Sequence, residues 1–302
     1  PPHSRTAQPG AWQEPAFAAR LIEALGHRFE ESTERCGVLL RLGWTAATKP
    51  SSWVRAARVA KAVVADLGLQ ADSPLRNFGR ARHLCGFDLP FEPLRQAKAA
   101  MGGQMIDLML TAVASAMGDW HREHGITLAK DVLTLVPINL RPWSEQGIAA
   151  ATGNRATGVM VKLPLYIRDP RERFREIHKR MTERKASPAL DLLPSFAEAL
   201  AVVPRPLVRA FSLIGSQAVH LIVTNVPGIM QARYVAGARI TAGYPFAPLA
   251  PQCPVSIALY GYDGRLWIGI DADGTAMPDV DAFEAALRKS FDEVIEMALV
   301  RT

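Results

Sequence analysis

The sequence lacks most of the features that mark common functions. Its 302 residues include only three cysteines, Cys36, Cys85 and Cys253. They are odd in number, far apart and without CxxC or zinc-ligand spacing. That excludes a disulfide scaffold and a structural zinc site, and it fits a reducing compartment with the thiols packed as small apolar groups. No apolar run approaches the ~18–20 residues a membrane-spanning helix needs. There is no internal repeat and no low-complexity tract. A nucleophile elbow, a Walker loop and a dinucleotide fingerprint are also missing. Aromatic residues make up 7% of the chain, and no stacking platform is interleaved with the basic residues. The formal net charge of +6 therefore does not point to nucleic acid. The first residues, Pro-Pro-His-Ser-Arg, carry no signal-peptide core and read like the interior of a longer chain.

What is present suits a globular protein of one large or two smaller domains: 49% hydrophobic and 21% charged residues. Residues 1–13, rich in Pro, Gly and Gln, read as a linker. A helical pattern follows from Pro15, with Phe17, Leu21, Ile22 and Leu25 on one face. Ser51 or Ser52 can cap a second helix that is apolar on one side and basic on the other (Arg55, Arg58, Lys61). It can pack on its own protein or lie on a membrane surface. Six arginines, Arg168, Arg171, Arg173, Arg175, Arg180 and Arg184, are concentrated in a short stretch. They form a solvated helix face, or they attract anionic lipid heads or the phosphates of coenzyme A.

The rest of the chain alternates strands and helices. Arg82–Leu89 reads as a strand, and a helix opens at Pro90. Gly102-Gly103 ends that helix and a longer one begins near Gln104, with Met105, Met109, Val113, Ala116 and Trp120 as its apolar stripe. Asp107 sits in its first turn, where the helix dipole favours a carboxylate. Strands are expected at Val132–Leu140 and Gly158–Leu165. Asn154, after Gly153, can satisfy a turn or touch a ligand. Asp169-Pro170 opens a helix whose apolar face takes in His178. Two further helices fall between Leu190 and Ser212. Arg239–Phe246, Val255–Gly261 and Leu266–Asp271 read as strands, with Asp263-Gly264 as a hairpin turn. Asp279 can cap a final helix. The pattern is α/β, a mixed β-sheet flanked by helices.

One stretch stands out, His220-Leu-Ile-Val-Thr-Asn-Val-Pro-Gly228. It has the composition of a buried strand, which Pro227 and Gly228 are expected to stop. Thr224 and Asn225 would then lie at its end, as turn-forming residues or as half of an active site.

Val223-Thr-Asn-Val-Pro-Gly228 resembles the TNVPGP segment of the bacterial wax ester synthase/diacylglycerol acyltransferase family, with Ile229 replacing the last proline. Val235-Ala-Gly-Ala-Arg239, Tyr244-Pro-Phe-Ala-Pro248, Val255–Tyr262, the Ser73–Leu89 link and strand, Val136-Pro-Ile-Asn-Leu-Arg141 and Gly153-Asn-Arg155 extend the resemblance over residues 74–296. It implies a chloramphenicol-acetyltransferase-like fold, in which two similar domains meet at a tunnel. By that scheme residues 14–80 complete an N-terminal domain and residues 81–302 form the C-terminal acyltransferase domain.

The implied reaction is acyl transfer from acyl-CoA to a long-chain alcohol or diacylglycerol, with acyl-CoA as substrate and no cofactor. The implied site is Thr224 and Asn225 for oxyanion or substrate contacts, and Asn154, Arg155 and Gly228 for substrate binding. The family's Asn-Asp pair reads Ile106-Asp107 here, which leaves Asp107 a structural role beside the site. The family's general base lies in a His-His-x-x-x-Asp-Gly motif, and none of the seven histidines is followed by Asp at that spacing. His83 and Asp88 are one residue too far apart, and in a strand they fall on opposite faces. The base is therefore expected from a preceding segment, cleaved, disordered or on another chain. The resemblance also implies a cytoplasmic location, peripheral on membranes or lipid droplets. A condensation-type acyltransferase using carrier-bound thioesters, and a non-catalytic half that binds lipid or a partner, remain the alternatives.

Overall fold

The computed structural model describes residues 75, 78–126, 131–139, 156–186, 219–250 and 253–300. The expected linker, the helices before residue 74 and those between Leu190 and Ser212 lie outside them. So do Asn154 and Arg155.

The described chain runs β1 (Arg82–Pro90), α1 (Phe91–Met101), α2 (Met105–Glu123), β2 (Val132–Asn139), β3 (Ala156–Leu163), α3 (Pro170–Lys185), β4 (Leu221–Ile229), β5 (Tyr234–Val235), β6 (Ala238–Arg239), β7 (Val255–Tyr262), β8 (Arg265–Asp273) and α4 (Val280–Leu299). Six strands form one sheet in the order β1-β8-β7-β4-β2-β3, and β5 and β6 form a separate hairpin. β4 is parallel to β2 and β7, while β1–β8, β7–β8 and β2–β3 are antiparallel. The sheet is mixed, as expected.

Strand alternation gives each residue a face. Leu221 and Val223 of β4, Val255, Ile257 and Leu259 of β7, and Ile268 and Ile270 of β8 join the main core under the helices. Ile222, with Leu133 of β2 and Cys253, packs in a smaller cluster on the outer face. α2 is buried almost all round, from Asp107 to Gly118, rather than along one stripe. It packs between α4 and α3, so its small residues are needed on several sides.

Local signals held where the partners are a few residues apart. Gly102 ends α1 with a left-handed φ of 69°. The Asp169 side chain accepts from Glu172 N at 2.7 Å, with Pro170 in the first turn. Asp263 and Gly264 have φ of 49° and 76°, the double positive φ of a tight hairpin turn.

Three expectations are corrected. Pro227 and Gly228 do not stop β4, which runs on to Ile229 across a register shift after Val226. The shift tolerates a residue without an N–H, and Gly228 approaches Gly261 so closely that a Cβ would lie 1.4 Å from the Gly261 carbonyl oxygen. Arg239–Phe246 is not a strand; only Ala238–Arg239 pairs, and residues 240–250 cross the outer face irregularly. There Pro245 carbonyl backbone lies against Gly269, whose missing Cβ leaves the room. Asp279 precedes α4 but its side chain does not cap it. It accepts instead from Trp120 Nε1 at 2.9 Å and sits 3.5 Å from His124 Nε2.

Candidate active site

The sheet opens beside the organising strand. β2 pairs with β4 only at Thr134–Leu221 and Leu135–Ile222, whereas β7 follows β4 to Val226 and again at Ile229. Past Ile222 the two parallel strands no longer pair, and β4 keeps its ladder on the β7 side alone among the described residues. Thr224 and Asn225 lie in this stretch, half-buried and not sealed in the core. Because β4 continues, they are mid-strand neighbours and face opposite ways. Thr224 pairs in register with Ala258 on the outer face, and Asn225 with Leu259 on the helix face. Where the parallel strands part, the β2 side of β4 has no strand partner among the described residues, and β4 carries a hydroxyl on one face and an amide on the other.

Gly228 is explained without a ligand by its contact with Gly261. Asp107 lies in the first turn of α2. It is 1% exposed, and with Gln104 it closes a reciprocal capping box at the start of α2. Its Oδ2 accepts from Gln104 N at 2.8 Å and lies 2.7 Å from His178 Nδ1, which must carry the proton to face a carboxylate. The His178 ring is parallel to Phe174, 6.0 Å away. No periodicity signals a pair 71 residues apart; only the packing of α3 on α2 creates it. Trp120, near the end of α2, bonds Asp279 beyond the end of β8.

Three of the six clustered arginines are bonded within the protein, and Arg168 and Arg175 are exposed. Arg171 bonds the carbonyls of Met297 and Val300 at the end of α4, at 2.6 and 2.7 Å. Arg173 is buried against the carbonyls of Ile167 and Arg168, and burial pulls its pKa down. Arg180 bonds the Lys162 carbonyl and pairs with Asp131 and Glu176. A fully solvated face is thus not what these side chains make.

As the strand assignment requires, His83 and Asp88 do not meet: His83 lies 3.6 Å from Asp281 and Asp88 pairs with Arg265. Among the described residues no group of three His, Cys, Asp or Glu side chains could hold a metal ion, and no single helix is long and apolar enough to cross a membrane.

Comparison with known proteins bears on the family and the fold. Residues 152–295 match the WS/DGAT C-terminal domain. A Mycobacterium tuberculosis (strain H37Rv) protein that carries a diacylglycerol O-acyltransferase name is 30% identical over 213 residues, covering 70% of this chain and 42% of that protein. The similarly named tgs1 protein of the same organism is 26% identical over 232 residues, 75% of this chain and 50% of its own length. The chain thus spans half or less of the length of these relatives. Among solved structures, the wax ester synthase/diacylglycerol acyltransferase from Marinobacter aquaeolei VT8 superposes with a TM-score of 0.57 at 18% identity, over 80% of this chain and 57% of that one. The epimerization domain from the third module of tyrocidine synthetase B gives 0.52 at 15%, over 81% and 57%. These two likenesses establish the fold, the chloramphenicol-acetyltransferase-like mixed sheet flanked by helices.

Proposed function

Since residues 152–295 match the WS/DGAT C-terminal domain, we propose that this chain forms the C-terminal part of an acyl-CoA-dependent O-acyltransferase acting on a long-chain alcohol or diacylglycerol. The observation that carries the reading is the parting of β2 from β4 beside Thr224 and Asn225. Acyl transfer from a thioester needs a base for the acceptor hydroxyl and donors for the tetrahedral oxyanion. The β2 side of β4 past Ile222 suits the amides of a pantetheine arm, and Thr224 and Asn225 offer a hydroxyl and an amide for the oxyanion or the acceptor.

No histidine of the chain has the His-x-x-x-Asp spacing, so the proposal places the base on an N-terminal segment of the same enzyme, with residues 14–80 completing that domain. Peripheral contact with anionic membranes or lipid droplets, and a cytoplasmic site of action, belong to the same proposal. The named relatives and the family match support an acyltransferase over a lipid- or partner-binding half.

The test is an assay of the full-length protein with palmitoyl-CoA and either hexadecanol or diacylglycerol. Asn225→Ala should lower kcat by roughly 10²–10³, the usual effect of losing one oxyanion donor. Acyl transfer from a carrier-bound thioester but not from free palmitoyl-CoA would replace this reading with the condensation-type one.

A further inference from the structure

The outer face of the sheet holds a polar pair that the proposed chemistry leaves unused. Ser256 of β7 and Asp271 of β8 are register partners. Ser256 is 1% exposed and Asp271 9%. Ser256 Oγ and Asp271 Oδ1 are buried without a hydrogen-bond partner among the described residues. Burial pushes the Asp271 carboxyl up, with the Arg82 charge acting against it. Buried polar atoms left unpaired are costly and uncommon, and two side by side on one face define a place for a group that would satisfy both.

The surroundings specify that group. Ser256 is flanked in register by Ile222 and Asp271 by Leu84, so the pair is set between apolar side chains. Leu84 is 55% exposed, so the row is open at the β1 edge. Two residues along β7, Ala258 pairs with Thr224, on the same face as Ser256. A carboxylate oxygen needs a donor and a serine hydroxyl can give or take one. The carboxylate argues against an anionic ligand. An alcohol hydroxyl on an apolar chain does both jobs.

We propose that Ser256 and Asp271 form the subsite that holds the hydroxyl of a long-chain alcohol, one row along the sheet from Thr224. The alcohol O–H donates to Asp271 Oδ1 and its oxygen accepts from Ser256 Oγ–H, while Ile222 and Leu84 line its chain. The assignment of this alcohol as the acyl acceptor rests on the acyltransferase reading; its binding does not.

The experiment measures equilibrium binding of labelled 1-hexadecanol and of hexadecane to the full-length protein and to its Ser256→Ala and Asp271→Leu variants. Each variant should bind hexadecanol about tenfold more weakly, the loss of a hydrogen bond to a polar or charged partner, with hexadecane binding unchanged. The melting temperature should stay the same or rise, because each change removes an unpaired buried polar atom. Equal effects on hexadecanol and hexadecane would overturn the proposal. So would unaltered hexadecanol binding in either variant. Palmitoyl-CoA transfer measured on the same samples separates the two readings. Selective loss of hexadecanol binding in a protein that transfers no acyl group keeps the subsite and removes the acyltransferase. Full transfer with an unchanged hexadecanol KM in both variants removes the subsite alone.

Discussion

Asp273, at the end of β8, ties two distant parts of the chain together, and replacing it should lower the protein's stability. The side chain is 2% exposed. Oδ1 accepts from the backbone N–H of Gly79 at 2.9 Å, Thr275 at 2.9 Å and Ala276 at 3.3 Å, and Oδ2 accepts from Arg82 at 3.0 Å. Gly79 itself fits only as glycine, since a Cβ there would lie 1.9 Å from the Thr275 hydroxyl oxygen. Burial raises the Asp273 carboxyl, but the backbone donors and Arg82 outweigh it, and its pKa ends below the usual carboxylate value.

Asp273→Ala leaves three backbone donors and a guanidinium without their acceptor. Water can replace the carboxylate at the half-exposed Arg82, so the cost is that of the unsatisfied backbone donors, about 1–3 kcal/mol. At 2–4 °C per kcal/mol for a domain of this size, that is roughly 2–12 °C in Tm. The same group sets a pH dependence. Its folded-state pKa is depressed, so its stabilisation is present above the unfolded carboxylate value near 4 and is lost as the pH falls through the folded value. Thermal unfolding followed by circular dichroism at pH 7 and through pH 5–2 measures both effects. A variant that melts within 1 °C of the parent at pH 7, or that keeps the parent's steep loss of stability below pH 4, refutes the reasoning.

Four further outcomes are expected. Gly228→Ala forces a methyl group onto the Gly261 carbonyl and should destabilise the protein by about 1–3 kcal/mol or more, read by urea unfolding, even if Gly228 never touches substrate. Asp279→Ala strips the Trp120 indole N–H of its acceptor and should cost about 1–3 kcal/mol; a helix-capping role alone would leave Trp120 fluorescence unchanged, whereas loss of this bond should shift it. Arg173→Met removes the donor to the Ile167 and Arg168 carbonyls and should destabilise by about 1 kcal/mol, while a surface-charge role predicts no change in Tm. Burial, aided at Cys85 by Glu284, pushes the Cys85 and Cys253 thiols up to about 12; in a Cys36→Ser background iodoacetamide at pH 8 should label the folded protein far more slowly than the urea-unfolded one.

The residues of β4 already specified a buried strand, and the Thr-Asn-Val-Pro-Gly run pointed to the family whose C-terminal domain residues 152–295 match. Asp169-Pro170, Gly102 and Asp263-Gly264 were legible because capping and turn geometry depend on partners a few residues away. The end of β4 was misread for a related reason: Pro and Gly usually stop a strand, and only the presence of Gly261 across the register shift allows them to continue one. Once β4 continues, alternation sends Thr224 and Asn225 to opposite faces, and the site gains two sides.

Among the described residues, sequence alone thus determined most strands and helices, since those follow from local backbone chemistry and hydrophobic spacing, though Arg239–Phe246 read as a strand and is not one. The tertiary structure decided which polar side chain meets which: Asp279 takes Trp120 rather than its own helix end, Asp107 takes His178, and Ser256 is set beside Asp271. Each of these partners is chosen among many of the same chemical type, and only packing the sheet and helices together brings one within hydrogen-bond or cross-strand reach and carries the others away.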